Sequence, residues 1–65
     1  MGMSAFIVGN MKLEASSAEM AYRAVCCFFS AEKPVAVIGE DGTVRKFTRT
    51  LDKSGNLIEV KEENK

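Results

Sequence analysis

The chain has 65 residues, with nine basic and nine acidic side chains and no histidine. This length predicts a single small domain, residues 1–65, near the size at which one hydrophobic core becomes marginal and oligomerisation usually helps. The balanced charge argues against a general attraction to nucleic acid or to an anionic membrane, and no apolar run is long enough to span a bilayer, so we expect a cytoplasmic protein.

The first predicted element is a β-hairpin with its turn at Gly9 and Asn10. The residues on either side alternate between apolar and polar side chains. A glycine at the first loop position suits the mirror-image turns that connect twisted strands. Pairing Val8 with Met11 then places the apolar side chains of both strands on one face. An irregular strand followed by a loop is the alternative.

The segment from Ser16 to Lys33 is the only one long and periodic enough to be a helix. A capping box formed by Ser16 and Glu19 predicts that the helix begins near Ser17. Because a proline ring disfavours the helical conformation of the residue before it, the helix should end before Pro34.

Apolar side chains would cover most of the surface of this helix, in two faces. One face comprises Met20, Ala24, Cys27, Phe28 and Ala31, and the other comprises Ala18, Ala21, Tyr22, Val25 and Phe29. A sheet buries only one face of a helix, so the second face requires another partner. We therefore predict a homodimer or higher homo-oligomer with partner contacts at Tyr22, Val25 and Phe29. The reverse assignment of the two faces is equally compatible with the sequence.

Three strands should follow the helix. The turn signal at 41–42 predicts a two-residue hairpin loop between the β-branched run 35–38 and the strand 43–51. Residues 52–55 have aspartate first and glycine last, which fits a type I turn with a glycine bulge before the last strand, 56–62.

The predicted register opposes Val37 with Lys46 and Arg49 with Glu59. The face that would receive the helix comprises Val35, Val37, Val44, Thr48, Thr50, Ile58 and Val60. Lys46 does not suit this face, and its ammonium group would have to reach the edge of the sheet.

The opposite face would carry Phe47 between Arg45 and Arg49, which makes these residues candidate partner contacts. An aromatic ring between cations can stack on a base while the cations meet phosphates. Glutamates on the neighbouring strand would already neutralise the arginines, so we expect protein rather than nucleic acid as the partner.

No motif for catalysis is present in the sequence. Histidine, the usual general base, is absent. Cys26 and Cys27 are adjacent on the predicted helix and point in different directions, which does not suit a disulfide, and zinc would need four ligands. We expect two buried free thiols, no catalytic residue, no metal site and no cofactor.

Together these patterns predict an α+β domain in which one α-helix packs on an antiparallel β-sheet, in the order β-β-α-β-β-β. We expect a non-enzymatic, oligomeric interaction or regulatory module that binds protein partners, including itself. The alternative is a nucleic-acid-binding protein that uses the sheet face around Arg45, Phe47 and Arg49.

Overall fold

A computed structural model describes residues 2–63. The elements are β1 (Ser4–Val8), β2 (Met11–Ala15), α1 (Ala18–Val25), a 3₁₀ turn (Cys26–Phe28), β3 (Val35–Ile38), β4 (Val44–Leu51) and β5 (Leu57–Glu63). The strands form one antiparallel sheet in the order β2-β1-β3-β4-β5. The predicted α+β class and element order are confirmed.

The N-terminal hairpin has the predicted register, with Val8 opposite Met11. Gly9 has a φ of 64° and its N–H donates to the carbonyl of Ala36 at 3.0 Å. A Cβ atom at this position would lie 2.8 Å from the ring of Phe29. Glycine is therefore required here both by the left-handed backbone and by the close approach of an aromatic ring.

Helix α1 begins at Ala18, one residue later than predicted, and it ends at Val25, well before the predicted end next to Pro34. Ser17, rather than Ser16, is the N-cap, and its hydroxyl accepts from the Met20 N–H at 3.3 Å. The helix gives way to a 3₁₀ turn after Val25, and Phe29 is already extended. Valine, cysteine and phenylalanine are weak helix formers, so contacts with the sheet decide the conformation of this segment.

The helix packs on the sheet through the face that contains Tyr22. Ala18, Ala21 and Tyr22 are buried, and Val25 packs against the same core. The small alanine side chains allow the helix backbone to approach the strands closely. The prediction that placed Tyr22, Val25 and Phe29 at a partner interface is therefore corrected, because this face lies on the protein's own sheet.

The register between β3 and β4 differs by one residue from the predicted one, since Val37 lies opposite Arg45 rather than Lys46. The loop between these strands has three residues, 40–42, instead of two, because the Gly39 N–H donates to the Thr43 carbonyl at 2.9 Å and closes the hairpin there. Within this loop only Gly42 has a positive φ. A two-residue loop of the predicted type needs positive φ at both central residues, and Asp41 does not adopt it. A one-residue shift moves every side chain of a strand to the other face of the sheet.

The β4–β5 hairpin contains a β-bulge between Thr50 and Leu51. The predicted pairing of Leu51 with Leu57 and the glycine-bulge turn at 52–55 are present, with the Asp52 N–H donating to the Asn56 carbonyl at 2.9 Å. Beyond the bulge the predicted pairs are wrong by one residue. Arg49 lies opposite Val60 instead of Glu59.

The core lies between α1 and the four strands nearest to it. Its largest fully buried side chains are Tyr22, Phe47, Val8 and Val37. The rings of Tyr22 and Phe47 stack with their centroids 5.6 Å apart and their planes at 22°. Stacked aromatic pairs contribute beyond their buried area, so this pair anchors the helix on the sheet.

Candidate interaction surface

Two of the predicted partner contacts, Tyr22 and Phe47, are core residues. Tyr22 is 0% exposed and Phe47 is 2% exposed, and Val25 and Phe29 pack against the same cluster. One side of the Phe47 ring meets Tyr22, and the guanidinium carbon of Arg45 lies 5.6 Å from the ring centroid. No base can stack on this ring without unfolding the core.

Arg45 and Arg49 also lie on the helix side of the sheet, and both are engaged. Arg45 donates to Glu62 through Nε at 2.8 Å and through Nη2, and these hydrogen bonds hold the pKa of the Glu62 carboxyl below its usual range. Nη1 of Arg49 donates to the carbonyl of Cys26 at 2.6 Å. Arg45 thus forms an exposed ion pair with Glu62. Arg49 instead donates a hydrogen bond to a carbonyl at the end of the helical segment.

The opposite side of the sheet, which we call the uncovered face, has no element packed on it among the described residues. Three apolar residues oppose one another across β1, β3 and β4: Ile7 lies opposite Ile38, which lies opposite Val44. Ala5 and Ala36 lie on the same face. These five residues form what we call the central apolar patch.

The central apolar patch is partly exposed to solvent, since Ile7 and Val44 are exposed and the other three residues are half-buried. Ile7 and Val44 are 40% and 54% exposed, which is unusual for large β-branched side chains at the middle of a sheet. Next to the patch, the Glu40 carboxylate accepts from the Ala5 N–H at 2.9 Å and ties the β3–β4 loop to β1. An apolar centre of this kind is typical of a surface that contacts another macromolecule.

Charged residues of both signs surround the patch on the uncovered face. They are three lysines, Lys12, Lys46 and Lys61, and three glutamates, Glu14, Glu59 and Glu63. The charges cancel, and lysine and glutamate lie next to each other at both edges of the sheet. An apolar centre with a polar rim is the usual arrangement of a protein–protein interface.

The outward face of α1 is the second exposed apolar surface. Met20 on α1 is 50% exposed, and Phe28 in the 3₁₀ turn that continues this surface is 69% exposed. Glu19 and Arg23 form an ion pair of 2.9 Å on the exposed surface of the same helix. The sequence predicted a surplus apolar helix face, and this is the face that the fold leaves in solvent.

Cys26 and Cys27 are free thiols, but the prediction that both are buried is wrong for Cys27. Cys27 is exposed, whereas Cys26 is half-buried and its thiol donates to the Arg23 carbonyl at 3.5 Å. The difference arises because the 3₁₀ turn directs the two side chains to different surroundings.

We expect Cys27 to react with a neutral alkylating reagent at least about 10-fold faster than Cys26, since thiol reactivity follows exposure. The rates are measured by mass spectrometry on Cys26→Ser and Cys27→Ser under native conditions. Equal rates in the two variants would contradict this assignment, and both variants in denaturant provide the common reference rate.

Of the two most exposed residues of the central apolar patch, the sequence placed Ile7 on the correct face and Val44 on the wrong one. Ile7 was predicted on the side of β1 away from the apolar hairpin face, which is where it lies. Val44 was predicted under the helix, and the register shift moves it to the uncovered face. The misfit of Lys46 was the available signal: the observed register removes that lysine from the core face and places Phe47 there instead.

No group of three or more potential metal ligands occurs in the described part of the chain. Within residues 2–63 no helix has the length and apolar character needed to cross a membrane. Comparisons with protein-family models, curated proteins and solved structures find no match to this chain.

Proposed function

We propose that this protein is a non-enzymatic interaction or regulatory module that binds protein through the central apolar patch. The supporting observation is the row of Ile7, Ile38 and Val44, in which Ile7 and Val44 are exposed and Ile38 is half-buried, surrounded by balanced charges. Burial of apolar area is the main favourable term in most protein associations, and the charged rim adds selectivity.

Nucleic acid is the weaker alternative, because the residues that suggested it are occupied. The Phe47 ring is buried, Arg45 is paired with Glu62, and Arg49 is bonded to a carbonyl. The uncovered face within residues 2–63 offers no aromatic ring to a base, and its glutamates would repel phosphates.

The two free thiols, Cys26 and Cys27, support a reducing compartment such as the cytoplasm.

The proposed function is tested with a photoreactive amino acid at position 44, in cells that express the protein. We expect irradiation to give discrete protein adducts, which are identified by mass spectrometry. The control carries the same group at Lys53, an exposed residue of the β4–β5 turn, and should give few adducts. Nucleic-acid adducts at position 44, or no protein adduct there, would refute the proposal.

A further inference from the structure

We infer that the partner of the central apolar patch is a second copy of this chain, packed face to face on the uncovered sheet. This inference rests on the proposed function, since it names the occupant of the same surface. In the dimer, two sheets lie about 10 Å apart with side chains between them, and each α1 faces outward. The sheet of each copy thereby covers the apolar row of the other copy.

The available area favours the sheet over the helix as the contact surface. Strands spaced about 4.8 Å apart and five residues long give a five-stranded sheet a footprint of about 24 by 17 Å, or about 400 Å². Helix α1 has 8 residues, so its footprint is only about 12 by 10 Å, or about 120 Å².

Stable specific interfaces bury about 1,000 Å² or more in total, counting both partners. Two sheet faces approach this value, because side chains that project from the sheet add surface area to the flat footprint. Two outward faces of α1 remain far below it. The exposed apolar side chains on the helix side, Met20 of α1 and Phe28 of the 3₁₀ turn, are therefore too few to hold two copies together. A contact of the size of the sheet face lies at the low end of the range for specific interfaces, where weak and transient complexes are found.

The charge pattern of the rim fits a second copy. Lys12 and Glu14 lie on β2 at one edge, and Lys46 and Glu63 lie opposite each other on β4 and β5 towards the other edge. A two-fold axis brings the same surface of both copies together. Because each edge carries both signs, lysines of one copy can lie beside glutamates of the other, whether the axis places β2 on β2 or β2 on β5.

The same balance disfavours a strongly charged partner. A predominantly acidic or basic surface would meet three like charges on this face for every three opposite ones, and close like charges are costly at an interface. A second copy is the neutral, self-complementary partner that is present at the same concentration as the chain itself.

The test is sedimentation of the purified protein from about 1 to 500 µM, a range that spans micromolar dissociation constants. We expect a concentration-dependent shift from 7.1 kDa to twice that mass. Val44→Lys and, separately, Ile7→Lys should each raise the dissociation constant at least about 10-fold, because a two-fold axis introduces each lysine twice. Circular dichroism checks that each variant is folded, and two variants guard against the failure of one to fold.

The matched control is Met20→Lys, which places the same charge at a side chain of similar exposure, 50% against 54% for Val44. It should leave the dissociation constant within about 2-fold, as expected for a residue outside the interface. A mass of 7.1 kDa at every concentration, or dissociation caused by Met20→Lys and not by Val44→Lys, would overturn the inference. A monomer that still forms adducts with another protein at position 44 would leave the proposed function standing.

Discussion

Phe47→Ala is expected to lower the free energy of unfolding by about 3–5 kcal/mol, the usual cost of truncating a buried phenylalanine. The side chain is 2% exposed and its ring stacks on Tyr22. Domains of this size have a total stability of about 0.05–0.15 kcal/mol per residue. The substitution should therefore remove most of the stability of the fold.

Urea denaturation followed by circular dichroism measures this effect. Phe28→Ala is the control, since Phe28 is 69% exposed and its truncation should change the free energy by no more than about 0.5 kcal/mol. The pair also tests the register. If Phe47→Ala cost no more than Phe28→Ala, Phe47 would lie on the uncovered face, as the two-residue loop predicted, and Val44 would lie in the core.

Arg49→Met is expected to cost about 1.5–3 kcal/mol, the range for a hydrogen bond that involves a charged group. The guanidinium donates to the Cys26 carbonyl at 2.6 Å in a partly buried setting. Methionine keeps much of the side-chain volume but removes the charged donor, and the Cys26 carbonyl then retains only the hydrogen bond from the Phe29 N–H at 3.0 Å. The favourable position of a cation at the end of a helical segment is lost as well.

Arg45→Met is the matched control, on the same face of the same strand. Arg45 pairs with Glu62, but its side chain is 44% exposed, and exposed ion pairs contribute about 0–1 kcal/mol. Equal losses in the two methionine variants, measured by thermal and urea unfolding, would mean that the Arg49 hydrogen bond adds nothing beyond a surface charge. Arg49→Lys should recover only part of the loss, because an ammonium group lacks the planar geometry of the guanidinium.

Local patterns in the sequence predicted the number, type and order of the elements. The turn at Gly9 and Asn10 and the alternation around it determined the first hairpin, including its register. The signal at 52–55 determined the last turn, and serine followed by an apolar run located the start of α1 to within one residue. These features depend on residues that are neighbours along the chain, so the sequence contains what is needed to predict them.

The tertiary structure decided which surfaces are buried. Both helix faces have the same period, and only the fit of the two alanines against the strands and of Tyr22 on Phe47 selects one of them. A third residue in the β3–β4 loop and a bulge at Thr50 each shift a register by one. Because strand side chains alternate with a period of two, such a shift exchanges core and surface. Phe47 thereby became a core residue and Val44 a surface residue, a choice that depends on packing between distant segments and not on local pattern.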